Sequence, residues 1–95
     1  MRYRLTRDAA EDLSRIYEAG VEHFGVEQAE RYYRELVKCL ALLAEHPRIA
    51  RRRLEFRQVF RAHRWRSHVV AYREEAEGVV ILRVFHSRQD WQDIF

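Results

Sequence analysis

Apolar and polar positions in the first half of the chain follow the period of a strand and then that of a helix. Residues 2–6, RYRLT, alternate basic and apolar side chains, as in a half-buried strand with Tyr3 and Leu5 facing inward. Thr6 is a suitable helix N-cap, because its hydroxyl can accept from a free backbone N–H in the first turn. The apolar stripe of the helix that follows consists of Ala9, Leu13, Ile16, Tyr17, Gly20 and Phe24.

A second amphipathic helix is predicted over residues 26–45. Gly25 precedes it and is a suitable C-terminal cap for the first helix. Pro47 stops the second helix, because proline lacks the N–H that a continuing helix needs. With so short a link the two helices form an antiparallel hairpin. The apolar stripe of the second helix is Ala29, Tyr33, Leu36, Leu40 and Leu43.

The second half of the chain is typical of β-structure. Residues 48–55 show no clear period and predict a basic loop. Three segments rich in Val, Phe, Tyr and Ile then predict strands, and residues 74–78, EEAEG, predict a hairpin loop between the last two. In the first of these strands the alternation assigns Phe56, Phe60 and Ala62 to one face, and Arg57, Val59, Arg61 and His63 to the other.

The element order β-α-α-β-β-β predicts a single α+β domain over residues 1–95. We expect the helical hairpin to pack on one face of a mainly antiparallel sheet that includes the N-terminal strand. The other face would then be partly open and would gather Arg57, Arg61 and Arg83. We also expect Arg83 to pair with Asp90, which would tie the C-terminal tail to the last strand and leave His86 and Arg88 at the surface.

Charge is distributed unevenly along the 95 residues, although the net charge is only +3. Residues 1–47 carry a balance of −2 and residues 48–95 a balance of +5, with eight arginines between Arg48 and Arg66. Such a basic stretch suits nucleic acid or an acidic protein partner. The single cysteine excludes an internal disulfide framework. Neither a signal peptide nor a membrane span is visible, so the expected compartment is the cytoplasm.

Most classes of catalytic site find little support in the sequence. The histidines lack metal-ligand spacing, neither Ser67 nor Ser87 lies in a nucleophile motif, and there is no glycine-rich phosphate loop. We therefore expect no metal and no cofactor. A metal-free RNA-cleaving site is the stronger candidate, because histidines and Glu55 could transfer protons while arginines stabilise the developing charge. The candidates are Glu55, Arg57, Arg61, His63, His68, Arg83 and His86.

Several segments resemble toxins of the ParE/RelE superfamily, and the ParE branch above all. They are the opening YRLTRDAAEDLSRIYEAGVEHFGVEQAERYYREL with its FG..QA..Y joint, the ending LLAEHP, and HVVAYR followed by VVILRVFHSRQDW. The resemblance covers nearly the whole chain in matching order. It implies the helical-hairpin-on-sheet fold and a ParD-like antitoxin as partner. ParE-like toxins poison DNA gyrase without being enzymes and serve to stabilise plasmids or chromosomes, whereas RelE-like relatives cut mRNA on the ribosome.

The residues favour the gyrase branch over the nuclease branch. The sheet region has no lysine, His68 stands where nucleases tend to have an arginine, and Ser87 stands where several have a tyrosine. Only Glu55, Arg61 and His86 remain as a partial nuclease set. DNA contact is expected only through the antitoxin or gyrase. Gly25, Pro47 and Asp90 are predicted to be structural, and the predicted target or partner contacts are Arg57, Arg61, Arg64, His68, Arg83, His86, Arg88 and Trp91.

Overall fold

The computed structural model describes residues 2–95, which form one five-stranded sheet and three helices. No helix in this range is long and apolar enough to cross a lipid bilayer. In chain order the elements are β1 (Arg2–Leu5), α1 (Arg7–Phe24), α2 (Val26–Glu45), β2 (Arg52–Arg53), β3 (Phe60–Trp65), β4 (His68–Glu75), β5 (Gly78–His86) and α3 (Trp91–Ile94).

Local capping interactions explain where the long helices begin and end. The Thr6 hydroxyl accepts from the backbone N–H of Ala9 at 3.0 Å, so α1 begins where the sequence predicted. Gly25 has a φ of 90°, a conformation that favours glycine, and its N–H donates to the carbonyl of Val21 at 3.0 Å. α2 ends two residues before Pro47. The helical hairpin and its bounds are therefore confirmed.

The sheet is mixed, with strand order β1-β5-β4-β3-β2. β1 lies parallel to β5 at one edge, and all the other strand pairs are antiparallel, as predicted. Two details of the prediction were wrong. Residues 48–55 contain the short strand β2, which pairs with the start of β3. The predicted hairpin loop at residues 74–78 is reduced to the two-residue turn Ala76–Glu77, because Glu74 and Glu75 continue the β4 ladder.

The sheet buries apolar side chains on both faces. On one face the helical hairpin covers Val70, Tyr72 and Ile81 with leucines of α2. On the other face a second cluster, which we call the aromatic cluster, is built around Phe60, Val69, Ala71 and Phe85 and covered by Phe56, Trp91, Ile94 and Phe95. The expectation of an open sheet face that gathers arginines is therefore wrong, because the C-terminal tail folds back as α3 and covers much of that face.

A bulge in the central ladder changes the direction of side chains in β5. The register places Ala71 opposite Arg83, but Tyr72 opposite Ile81, so Leu82 is an extra residue on β5. Strict alternation is lost at this point. The side chain of Arg83 reaches α1, on the helical side of the sheet.

Candidate functional site

Arg83 pairs with Asp12 of α1 rather than with Asp90. Its Nε donates to Asp12 Oδ2 at 2.8 Å and its Nη2 donates to Oδ1 at 2.9 Å, a bidentate geometry. Asp90 instead caps α3, with its Oδ1 accepting from the N–H of Gln92 at 2.9 Å. The predicted Arg83–Asp90 pair is therefore wrong, because Asp12 satisfies the guanidinium and Asp90 caps α3.

Asp12 is the buried ionic centre of the molecule. Its side chain is only 4% exposed, and besides the two bonds from Arg83 it accepts from Arg15 Nη2 at 2.7 Å and from the N–H of Val84 at 2.9 Å. A buried carboxylate needs such donors to replace its lost hydration. The hydrogen bond to Asp12 raises the pKa of Arg83. Asp12 was not predicted from the sequence, although an acid beside Leu13 on the inward stripe of α1 was the available signal.

Arg61 is likewise occupied by the protein itself. Its Nη1 donates to the carbonyl of Ala50 at 2.7 Å and its Nη2 donates to Glu74 Oε1 at 2.9 Å, on the helical side of the sheet. Arg48 lies 3.5 Å from the same carboxylate oxygen. Arg57 is exposed in the loop before β3. The three arginines predicted to share one open face are thus dispersed, two of them in ion pairs with the protein's own acids.

The two tryptophans lie in different environments. Trp91 packs on the aromatic cluster, stacked on Phe56 at 5.8 Å between ring centroids, and the guanidinium of Arg53 lies 4.7 Å from the centre of its indole ring. Trp65 packs edge-on against Tyr32 of α2 at 5.0 Å. The tail beyond Asp90 is therefore folded on the sheet in this structure.

A cleft of about 550 Å³ opens between the helical hairpin and the ends of β4 and β5. Its walls are mainly apolar, and polar side chains from three elements converge inside it, as in many binding sites. The cleft brings together four of the polar residues discussed above. They are Asp12, His68, Arg83 and His86.

His68 and His86 face each other across neighbouring strands in this cleft. Their ring centroids lie 5.5 Å apart, and the hydroxyl of Tyr32 shares a 2.7 Å hydrogen bond with His68 Nδ1. Burial raises the pKa of Tyr32, so this hydroxyl stays protonated at neutral pH. The N–H of Arg88 donates to His86 Nδ1 at 3.1 Å, which leaves the other ring nitrogen of His86 facing away from the backbone.

Burial, followed by the charge of His86, lowers the pKa of His68. The folded protein therefore resists protonation of a side chain that the unfolded chain protonates near pH 6.5. Stability should fall as pH drops below about 6.5 and should level off below the lower folded pKa, with a slope of at most about 1.4 kcal/mol per pH unit for one proton. The His68→Asn variant should lose less stability over this range, because the amide can still bond Tyr32 but does not titrate.

Urea denaturation at several values between pH 7.5 and pH 5 measures this difference. His23→Asn is the matched control, because His23 is exposed on α1 and its replacement removes a histidine outside the pair. If stability depends on pH equally in the wild type and in His68→Asn, the assignment of this pH dependence to His68 is wrong.

Other reactive groups offer little chemistry. Burial raises the pKa of the Cys39 thiol to about 11, so it stays protonated and inert. Among residues 2–95 no three metal-binding side chains of the His, Cys, Asp or Glu type come together. The partial nuclease set is dispersed as well: Glu55 pairs with Arg53 at 3.0 Å near the sheet edge, Arg61 pairs with Glu74, and His86 lies in the cleft.

Comparison with known proteins agrees with this architecture. Residues 3–91 match the family described as the ParE toxin of the type II toxin-antitoxin system, parDE. The chain is 38% identical over 90 residues to "Toxin ParE1" of Mycobacterium tuberculosis (strain CDC 1551 / Oshkosh), covering 94% of this chain and 92% of that protein. It is 40% identical over 84 residues to "Toxin ParE1" of Caulobacter vibrioides (strain ATCC 19089 / CIP 103742 / CB 15), covering 88% and 86%.

A solved structure provides the same result at the level of the fold. A chain described as "Chromosomal ParDE TA system from P. aeruginosa" superposes with a TM-score of 0.72 at 28% identity, covering 90% of this chain and 95% of that one. The family match spans most of the sequence, and the alignments cover most of each relative's length. The chain therefore belongs to the ParE toxins of type II toxin-antitoxin systems.

Proposed function

We propose that this toxin inhibits growth in the cytoplasm by binding and poisoning DNA gyrase, and that a cognate ParD-like antitoxin neutralises it. The observation that carries the proposal is the dispersal of the candidate nuclease residues in a chain of the ParE family. A metal-free nuclease needs its base, acid and cations around a single phosphate. A binding toxin has no such requirement.

The distances within the sheet make this dispersal concrete. Arg61 pairs with Tyr72 of β4, whereas His86 pairs with His68 of the same strand. Four residues of β4 correspond to roughly 13 Å along the strand, and β4 also lies between the two residues. Glu55 lies in the segment between β2 and β3, where it pairs with Arg53. A scissile phosphate bound at His86 would therefore be out of reach of both partners.

The antitoxin should present an acidic, amphipathic segment that folds on binding. We expect it to lie along the helical hairpin and the sheet edge and to reach the arginine-rich side of the molecule. Edge strand β2 is only two residues long, so most of β3 is left without a neighbour on that side. Charge complementarity with the basic second half of the toxin would speed the encounter and set specificity.

Purified gyrase with plasmid DNA tests the proposed target. Micromolar toxin should inhibit supercoiling or trap cleaved plasmid, and an equimolar amount of the co-encoded antitoxin should restore normal activity. Absence of both effects would overturn the gyrase assignment. In that case codon-positioned cuts in a translation extract, abolished by His86→Ala, would support the alternative of a ribosome-dependent mRNA endonuclease.

A further inference from the structure

A strained arginine occupies the turn between β3 and β4. Arg66 and Ser67 form the two-residue connection between the paired residues Trp65 and His68. Arg66 has a φ of 53°, and no other non-glycine residue in the range 2–95 has a positive φ. Two-residue hairpin turns need a positive φ at their first position and usually place glycine, asparagine or aspartate there. A side chain in this conformation costs roughly 1–2 kcal/mol, so an arginine here points to a use for the side chain.

The guanidinium of Arg66 lies over two aromatic rings. Its Cζ is 4.8 Å from the ring centroid of Trp65 and 5.9 Å from that of Tyr32. Tyr32 in turn bonds His68, and His68 faces His86. Arg66 is therefore part of the same surface as the histidine pair of the cleft.

Further interactions join the neighbouring basic residues to this surface. Arg64 Nε donates to the carbonyl of Arg66 at 3.1 Å. The N–H of Ser87 donates to the carbonyl of Ser67 at 2.8 Å, which holds the segment after β5 against the turn. Together these interactions form a continuous surface that we call the basic end, composed of Arg64, Arg66, His68, His86 and Arg88.

In the described part of the chain, many arginines are neutralised by the protein's own acids, but the three of the basic end are not. Eight arginines elsewhere in the molecule pair with the protein's own acids, whereas within residues 2–95 no ion pair joins Arg64, Arg66 or Arg88 to a carboxylate. All three side chains are exposed. Their positive charge is thus available to a partner.

The chemistry of this surface fits nucleic acid better than protein. The fully buried core of a protein interface is more apolar than its rim. The exposed large hydrophobic residues among residues 2–95 are Phe24, Val26, Leu42, Ile49, Leu54 and Val59, and of these only Phe24 lines the cleft of the histidine pair. Arginines suit phosphate oxygens, because the planar fork of the guanidinium matches their geometry.

We propose that the basic end is a binding site for the phosphodiester backbone of nucleic acid, in which Arg64, Arg66 and Arg88 contact phosphates. This inference deepens the proposed function and rests on it for its biological setting, because it gives the toxin a direct contact with DNA in a gyrase–DNA complex. Binding by the toxin alone is tested without gyrase, so the failure of one proposal is distinguishable from the failure of the other.

Fluorescence anisotropy with labelled 20-nucleotide probes tests the proposal, using duplex DNA, single-stranded DNA and RNA of one sequence. We expect the wild type to bind at least one probe at micromolar concentration in 50 mM salt. With three phosphate contacts, log K should fall with log salt at a slope of about −2 to −3. The Arg66→Gly variant should bind about tenfold more weakly, and its salt slope should be shallower by about 1.

Control variants distinguish weaker binding caused by a lost charge from weaker binding caused by a damaged fold. Arg73→Ala removes the same charge near the other end of β4 and should leave binding within twofold of the wild type. Arg66→Gly relieves strain but loses stacking, so its melting temperature should stay within a few degrees of the wild type. Arg64→Ala/Arg88→Ala is a second variant that keeps Arg66 in the turn and should weaken binding at least as much.

Three outcomes would overturn the proposal. One is no binding to any probe at 50 mM salt. Another is an equal loss of affinity in Arg66→Gly and Arg73→Ala. The third is binding of an acidic polypeptide, poly-glutamate, to the basic end when the oligonucleotides do not bind.

Discussion

Replacing Asp12 with alanine should lower the free energy of unfolding by about 3 kcal/mol, at the lower end of the range of roughly 3–5 kcal/mol for breaking a buried ion pair. The carboxylate accepts four hydrogen bonds from two arginines and one backbone N–H. Its loss leaves the Arg83 guanidinium, whose side chain is only 24% exposed, without a counter-charge beside α1. Urea denaturation followed by circular dichroism measures the effect.

Two comparisons make this prediction specific. Asp8→Ala, an exposed acid in the first turn of the same helix, should cost no more than about 1 kcal/mol. The double variant Asp12→Ala/Arg83→Met should recover much of the loss, because removing both partners of a buried pair leaves no unpaired charge. If Asp12→Ala lowers the free energy of unfolding no more than Asp8→Ala does, the Asp12–Arg83 ion pair is not an important source of stability.

The long helices could be predicted from sequence because local chemistry determines them. Thr6 and Gly25 act within one turn of their own positions, and the apolar stripes repeat at the helical period. The strand β2 could not be predicted, because its two residues are held only by pairing with β3. The bulge in β5 had no local signal either, since Leu82 lies in an uninterrupted apolar run.

The position of the arginines depended on contacts between residues far apart in sequence. Asp12 and Arg83 are 71 positions apart, so alternation within β5 alone could not reveal their pairing. His68 and His86 meet because β4 and β5 form one hairpin, which the sequence did predict. Charge and position in the sequence predicted four contact residues, and that role stays a prediction. They are Arg64, His68, His86 and Arg88. Arg66 was missed because its backbone conformation cannot be read from composition.

A second large effect is expected on the face of the sheet opposite the helical hairpin. Phe60→Ala should cost about 3–5 kcal/mol, the usual range for deleting a buried phenyl ring. Phe60 is 1% exposed, and its ring lies 4.1 Å from that of Phe95 in a stacked arrangement. Because α3 is a single turn capped by Asp90, the tail is held to the sheet mainly by the packing of the aromatic cluster. Loss of Phe60 should therefore also loosen α3, which near-ultraviolet circular dichroism of Trp91 would report.

Double variants test whether the two faces of the sheet form separate cores. Phe60→Ala and Leu40→Ala lie on opposite faces, so their costs should add to within about 0.5 kcal/mol. Phe60→Ala and Phe95→Ala each break the same stacked pair of rings. The sum of the two single losses in unfolding free energy should therefore exceed the loss in the double variant by about 0.5–1.5 kcal/mol. Val59→Ala, at an exposed neighbouring position, should change stability by less than about 0.5 kcal/mol. Additivity between Phe60 and Phe95 would mean that the tail does not pack on the sheet in solution, and the face predicted from sequence to be open would then be open after all.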